Sequence, residues 1–304
     1  MDEVALAEEA RALEPELTFA SLTAARLAEL TAERGCDLIT ALLYDRLLRS
    51  AEHGAFIAEV SRISPSGPRP VVRDKVLVVP PLQPGIPGLE AGDGLLVRSV
   101  AQRLGFAVAI ARLSRTGLVT ENAAVLQRLL EEEPFPVVVV SSGRGSADLR
   151  LALEEEPSLA RKVRVWIQMG GLLRGSPLAA ALLAGSLPSR LLLAGRLSLL
   201  RELSSAPGSL LARPFRVPKG LKVVNVLPLP LASHLSGDAA ARHARLSAQG
   251  PNDGATPALD SLVPQGPVLP LWSAGHDLRA PETAALLYRV FLHLARRGAL
   301  ARDR

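Results

Sequence analysis

The sequence predicts an α/β fold in which a mostly parallel sheet is covered by helices on both faces. From residue 76 onward, short runs rich in valine alternate with helical stretches. These runs are apolar throughout, as expected of strands buried on both faces. The chain has 304 residues, of which 48% are hydrophobic and 21% charged. That length and composition favour one large folded domain with an extension over a disordered chain.

The first 60 residues are predicted to be helical. Glu, Ala and Leu recur at spacings of three and four residues from Leu22 to Leu48. A run rich in Pro, Ser and Gly, from Ser64 to Pro70, then ends the helical pattern. We therefore expect residues 1–70 to form an N-terminal helical arm with its linker, and residues 71–304 to form the α/β domain.

Within that domain the predicted elements alternate in the order expected of a parallel sheet with crossover helices. The predicted strands cover residues 76–79, 106–110, 137–140, 163–169, 221–227 and 268–272. The predicted helices cover residues 94–104, 121–132, 146–155 and 281–297. A polar stretch over residues 234–255 separates the last two strands.

A leucine-rich segment interrupts the alternation and is predicted to be a cap inserted at about residues 178–215. Gly185, Pro188 and Arg190 break its apolar run, which falls short of the roughly 20 uninterrupted residues that a membrane-spanning helix needs. Its second half has an apolar face flanked by Arg196 and Arg201. Two interpretations stay open, a lid that covers the core and a surface for peripheral contact with a membrane.

Composition also bears on partners and location. The chain has few aromatic rings on which bases could stack, and its arginines are scattered among acidic residues despite a net charge of +5. We therefore expect no nucleic-acid partner. The single cysteine, Cys36, excludes a disulfide within the chain, and the acidic start lacks the basic region of a secretory signal. A cytoplasmic location is the expectation.

No metal or cofactor is expected. The histidines show no His-x-x-x-His pair and no grouping with the cysteine that would suggest zinc ligands. They are His53, His234, His243, His276 and His293.

The turn after the third predicted strand, residues 141–146, is the first candidate site. Ligands of parallel sheets gather where strands end. A dinucleotide loop would need Gly-x-Gly-x-x-Gly, but Asp148 stands at the last position, where its carboxylate would repel a pyrophosphate. A nucleophile elbow would need Gly-x-Ser-x-Gly with small flanking residues. Residues 141–145 suit that geometry, with Gly143 at the nucleophile position.

At this turn the chain resembles the α/β-hydrolase superfamily, specifically its bacterial lipase/esterase-like members. Their elbow, small-x-Ser-Lys-Gly-Gly between strand and helix, is matched by residues 137–146. Their Gly-Ser-Pro-Leu-Ala segment is matched by residues 175–179, and their acid turn by residues 252–254. Residues 275–277 stand where their last strand ends in an Asp-His pair. The resemblance covers about residues 76–294, in the order nucleophile, acid, histidine.

The resemblance implies a serine hydrolase site that has lost its nucleophile. A serine at positive φ is strained by about 1–3 kcal/mol, and glycine removes most of that strain. With Gly143 no acyl-enzyme can form, so we favour a catalytically degenerate protein that binds a hydrophobic ligand or a protein partner. The alternative is an active esterase, lipase or acyltransferase on a hydrophobic acyl ester. It would use Ser146 or Ser142 with His276 and Asp253.

The two serines differ in expected direction. Ser142 directly precedes the turn, so its side chain should point away from the direction of residue 143. Ser146 lies near the start of the following helix and could face the site after a small shift. The alternative to a catalytic role for either serine is a structural one, capping the helix or packing tightly at its start.

The histidine position and the role of Asp253 each have two interpretations. Resembling proteins place Asp before His, whereas this chain has His276 before Asp277, so a strict alignment puts Asp277 in the catalytic position. Because the histidine is displaced, Gly143→Ser alone is expected to restore little ester hydrolysis. Asp253 stands between Asn252 and Gly254 and is as well suited to forming a turn as to orienting a histidine.

The oxyanion hole implied by the resemblance would combine the Arg144 N–H with an N–H from the loop after the first core strand. Pro80 and Pro81 carry no N–H, which leaves Leu82 or Gln83. The Arg144 side chain, at the start of a helix, is also a candidate to hold an anionic ligand.

Overall fold

The structure, a computed structural model, describes residues 2–64, 72, 74–82, 94–185 and 194–296. Its centre is a six-stranded parallel sheet in the order β2-β1-β3-β4-β5-β6, which confirms the predicted fold class. The strands are β1 Lys75–Val79, β2 Ala107–Ile110, β3 Val137–Ser142, β4 Val163–Gly171, β5 Val223–Leu229 and β6 Val268–Trp272. The chain runs outward from β1 to β2 and then returns to β3. The ends of β1 and β3 therefore flank the point where the direction of winding reverses, a usual place for ligands.

The helices lie close to their predicted positions. They are α1 Glu3–Ala12, α2 Ala24–Arg34, α3 Cys36–Leu48, α4 Gly54–Ser61, α5 Leu95–Arg103, α6 Val119–Glu132, α7 Gly143–Glu155, α8 Pro177–Ala184, α9 Leu197–Leu203, α10 Gly237–Leu246 and α11 Pro281–Arg296. Two details differ from the prediction. The helix after β3 begins at Gly143 rather than at Ser146, and the polar stretch before β6 contains a helix, α10.

Alternate residues of the central strands pack into two separate apolar clusters, one on each face of the sheet. Val76 and Val78 of β1 pack with residues of α1–α5 and α11. Leu77 and Val79 pack with residues of α6, α7 and α9. This period of two explains why the strands are apolar throughout, since both faces are covered.

The N-terminal helices are integrated into the first of these clusters. Ile39, Leu42 and Leu43 of α3 are fully buried in the same cluster as residues of β6 and α11. At the surface, the Trp272 Nε1–H donates to Glu3 Oε2 at 2.9 Å, which joins α1 to the end of β6. The arm therefore packs against the sheet. Its predicted linker, at residues 65–70, lies outside the described residues.

The described parts of the predicted cap lie on the other face. Helices α8 and α9 contact each other, and α9 contacts α6. The Glu202 carboxylate accepts from the backbone N–H of Val119 and, at 3.0 Å, from the Thr120 hydroxyl, so it caps the start of α6. Residues 186–193 lie outside the described part. None of the helices in the described ranges has the length and apolar character required to cross a membrane.

Candidate active site

The turn after β3 has the backbone of a nucleophile elbow. Ser142 ends the strand in an extended conformation, with φ −147° and ψ 161°, and α7 begins at the next residue. Gly143, at that junction, has φ +49°, in the left-handed region. A strand that turns directly into a helix through one left-handed residue is the geometry that presents a nucleophile in this class of fold. Glycine adopts it without the steric cost of a Cβ.

Backbone crowding around the turn requires small residues on both sides. A Cβ at Gly145 would lie 2.3 Å from the Pro80 carbonyl oxygen and 2.7 Å from that of Val79. A Cβ at Gly171, on the neighbouring strand, would lie 2.3 Å from the Ser146 Cβ. Gly143 itself is held by its carbonyl, which accepts from the Leu172 N–H at 3.0 Å. The turn is therefore a tightly packed junction between β1, β3 and β4.

His276 and Asp253 form a buried, hydrogen-bonded pair beside this turn. The His276 Nδ1 and Asp253 Oδ2 atoms are 2.9 Å apart. The other carboxylate oxygen, Oδ1, accepts from the backbone N–H groups of Ala255 and Thr256, each at 2.8 Å. The backbone thus orients the carboxylate, and the carboxylate orients the imidazole. In the neutral ring this arrangement places the proton on Nδ1 and leaves Nε2 as an acceptor.

The imidazole faces the position that a side chain at residue 143 would occupy. A Cβ built on Gly143 would lie 3.3 Å from His276 Nε2. The same Cβ would lie 3.0 Å from the Pro81 Cβ, a contact tighter than ordinary van der Waals packing. The structure therefore brings together Gly143, His276 and Asp253, the three positions that the resemblance pointed to.

Asp277, to which strict alignment assigns the catalytic position, lines the cavity beside the elbow but contacts Arg279. Its side chain is 41% exposed, and its Oδ2 is 3.6 Å from Arg279 Nε. The backbone N–H of His276 donates to the Asp253 carbonyl at 2.9 Å, and this bond brings His276 rather than Asp277 to the elbow. The reversed order of the two residues thus leaves the imidazole in place. The histidine is therefore not displaced, contrary to what the sequence had suggested. Gly143→Ser is still expected to restore little hydrolysis, because its Cβ would crowd Pro81 and His276.

Asp253 combines the two roles that the sequence left open. Asn252 Oδ1 accepts from the Gly254 N–H at 3.0 Å, and Gly254 has φ +90°, so the segment is a tight turn. The same turn points the Asp253 carboxylate at His276. Turn formation and orientation of the imidazole therefore do not exclude each other.

The two candidate serines occupy different environments. Ser146 is fully buried, and its Oγ lies 2.8 Å from the Oγ of Ser141, which accepts from Trp166 Nε1 at 2.7 Å. This chain of hydrogen bonds packs α7 onto the sheet. Ser142 is 8% exposed and lines the cavity that also contains His276. Ser146 is not among the described residues that line this cavity.

Of the three residues predicted to supply oxyanion-hole N–H groups, the structure describes Arg144 and Leu82. Arg144 lies in the first turn of α7, where N–H groups lack partners within the helix. Leu82 follows Pro81 with φ +44° and lines the same cavity. Gln83 lies outside the described residues.

The Arg144 side chain lies inside the protein, where it does not serve as a surface anion anchor. Its guanidinium donates to the Arg115 carbonyl at 2.8 Å and to the Gly117 carbonyl, and it lies 3.5 Å from Asp148 Oδ1. Asp148 also accepts from Asn122 Nδ2 at 3.0 Å. Burial raises the pKa of Asp148 to about 7, against the opposing effect of Arg144. This pair was not predicted from the sequence, although its i,i+4 spacing on one helix could have indicated it.

A cavity of about 900 Å³ opens beside the elbow. Its lining comes from the ends of β1–β4, the loop between β2 and α6, α5, the loop between β6 and α11, and α11. It includes Pro81, Ser142, Met169 and His276. No described residue of the leucine-rich segment contributes to it. In the described part of the chain no group of three or more His, Cys, Asp or Glu side chains is arranged to hold a metal ion.

Comparison with known proteins identifies the fold. No family model and no curated protein sequence matches the chain. Among solved structures, the chain is similar to a metagenomic carboxyl esterase, MGS0156, with a TM-score of 0.56 and 20% identity over 83% of this chain and 89% of that one. It is equally similar to the mature form of the Bacillus licheniformis lipase BlEst2, with a TM-score of 0.56 and 20% identity over 77% and 96% of the two chains. The chain thus has the α/β-hydrolase fold of esterases and lipases.

Proposed function

We propose that this protein is a catalytically degenerate member of the α/β-hydrolase fold that uses its cavity to bind a ligand. One observation carries the proposal. His276 Nε2 would lie 3.3 Å from a Cβ at residue 143, and residue 143 is glycine. The acid and the base are in place, and the atom on which they would act is missing.

The chemistry of the missing atom explains the expected inactivity. In a serine hydrolase the imidazole takes the hydroxyl proton as the serine oxygen attacks the ester carbonyl. Gly143 carries no side-chain hydroxyl that could attack the ester carbonyl, so the covalent acyl-enzyme cannot form. What remains is the weak acceleration that substrate binding and an oxyanion site supply without a nucleophile.

The alternative, an active hydrolase, would need a neighbouring serine. Ser146 is a poor candidate because its Oγ is 2.8 Å from Ser141 Oγ in a fully buried network. Ser142 is the stronger candidate because it lines the cavity with His276. It belongs to β3 in an extended conformation, one residue before the turn that would present a nucleophile to Nε2.

A fluorophosphonate probe tests the proposal on the purified full chain, with a working serine hydrolase as the reagent control. We expect no stoichiometric labelling, since no serine is activated. The variants Ser142→Ala and Ser146→Ala are the matched controls for background reaction. Stoichiometric labelling that maps to Ser142 or Ser146 and disappears in the corresponding variant would overturn the proposal in favour of the active hydrolase.

We also propose a cytoplasmic location, supported by the single cysteine of the chain. Fractionation of cells that express the full chain tests this point. Recovery of the protein in the cytosolic fraction is expected, and recovery outside the cell would contradict it.

A further inference from the structure

We propose that the cavity beside Gly143 binds a single-chain amphiphile with an anionic head group, which Arg112, Arg115 and Arg279 would hold. This inference rests on the proposed ligand-binding function and adds the chemical class of the ligand.

The wall of the cavity suits an alkyl chain. Its lining includes Leu96, Val97, Ile110, Leu113 and Leu287. The volume of about 900 Å³ lies within the usual range of small-molecule sites, roughly 300–1,000 Å³. Burial of an alkyl chain against these side chains removes its CH₂ groups from water, which favours binding.

The charged part of the lining is predominantly cationic. Arg112 and Arg115, in the loop between β2 and α6, are both exposed, and so is Arg279, before α11. Asp277 offsets Arg279, at 3.6 Å. Over the described ranges, neither Arg112 nor Arg115 has a carboxylate partner. As far as the described residues go, these two guanidinium groups are therefore available to pair with an anion.

The loop that carries two of these arginines is held in place by buried side chains. Arg144 donates to the carbonyls of Arg115 and Gly117. Asn122 accepts from the Ser114 N–H and donates to the Ser114 carbonyl, both at 3.0 Å. The backbone at Arg115 is thus positioned before a ligand arrives, which lowers the entropic cost of binding.

Guanidinium groups select the head group by charge and geometry. They donate to carboxylate and phosphate oxygens in a bidentate fashion, and these charge-assisted bonds are stronger than neutral ones. A neutral alcohol cannot form them, and a quaternary ammonium is repelled. The head group is therefore an oxyanion, from a fatty carboxylate or from an alkyl phosphate.

Calorimetric titration of the full chain with four probes of equal length tests the inference. The probes are dodecanoate, dodecyl phosphate, dodecanol and dodecyltrimethylammonium, each kept monomeric, below its micellar concentration or, for dodecanol, its solubility limit. We expect the anions to bind about tenfold tighter than dodecanol or more, and the cation not to bind. Selective binding of one anion would support the proposal and identify the head group.

Variants assign the selectivity to the arginines. The double variant Arg112→Gln/Arg115→Gln should weaken anion binding about tenfold and leave dodecanol binding unchanged, and Arg112→Lys/Arg115→Lys should restore part of the loss. Arg128→Gln is the matched control, because Arg128 is exposed on α6 and does not line the cavity. Circular dichroism checks that each variant is folded.

If neither dodecanoate nor dodecyl phosphate bound more tightly than dodecanol, or if the double glutamine variant lost no anion affinity, the ligand class would be overturned. That failure differs from a failure of the proposed function. Absence of fluorophosphonate labelling together with no preference for anions would leave the degenerate hydrolase standing and reject only the anionic amphiphile. Stoichiometric labelling together with arginine-dependent anion binding would reject the degenerate hydrolase and leave the anionic amphiphile standing.

Discussion

The acid–histidine half of the site and the nucleophile half differ in what holds them. In the first half, Asp253 and His276 are tied to each other and to backbone N–H groups. In the second half, the strand, turn and helix are complete, but the residue at the turn has no side chain. Because the Asp253 turn orients the His276 imidazole and residue 143 does not, the ring stays aligned with glycine at position 143. The two halves are physically separable.

The nucleophile half should be most sensitive to an added methyl group at Gly145. A Cβ there would lie 2.3 Å from the Pro80 carbonyl oxygen and 2.7 Å from that of Val79. Both are backbone atoms, so they cannot move away by a side-chain rotation. We expect Gly145→Ala to lower the free energy of unfolding by about 4 kcal/mol or to prevent folding. Urea denaturation measures the effect. The control is Gly195→Ala, where no atom of the described residues lies within 4 Å of the added Cβ. Similar losses in both variants would show that the turn is not rigid.

The helix under the nucleophile half should make stability depend on pH. In the unfolded chain Asp148 loses its proton as pH rises through about 4, whereas burial raises its pKa to about 7 in the folded protein. The free energy of unfolding should therefore fall as pH rises from about 4 to 7, by on the order of 2–4 kcal/mol. Asp148→Asn should remove that slope and exposed Asp238→Asn should not, in urea titrations across the range. An unchanged slope in Asp148→Asn would contradict this assignment.

The acid–histidine half can be broken at Asp253. In Asp253→Asn the side chain can still accept from the N–H groups of Ala255 and Thr256, but its amide then faces the Nδ1–H of His276. We expect a loss of about 1–3 kcal/mol in unfolding free energy and a shift of the ring proton to Nε2. Nitrogen-15 NMR of the imidazole reports the tautomer directly. Asp277→Asn should leave the tautomer unchanged, and the same outcome for Asp253→Asn would mean that another group orients the ring.

The smallest change is expected where the two halves meet. Gly143→Ala adds a Cβ at φ +49° that contacts side-chain atoms of Pro81 and His276 at 3.0 and 3.3 Å. Its cost should be about 1–2 kcal/mol, because these neighbours can shift slightly. Gly143→Ser should cost a similar amount and restore little hydrolysis of a nitrophenyl ester, since its Cβ displaces the imidazole. Gly143→Ala is the control for turnover. Hydrolysis by Gly143→Ser at the rate of a working esterase would show that the two halves still fit together.

Local patterns in the sequence determined the fold class, the strands and the elbow. Strand periodicity, turn residues and the small residues around Gly143 are properties of neighbouring positions, so one chain is enough to reveal them. The absence of a hydroxyl at residue 143 is likewise a fact of the sequence.

Only the tertiary structure decided which side chains meet. Gly143 and His276 are brought together by the order of the strands and by the hydrogen bond from the His276 N–H to the Asp253 carbonyl. The burial of Ser146 and the pairing of Arg144 with Asp148 and the β2–α6 loop likewise depend on how α7 packs on the sheet. Contacts between residues far apart in the chain are set by packing and register, which local periodicity does not encode.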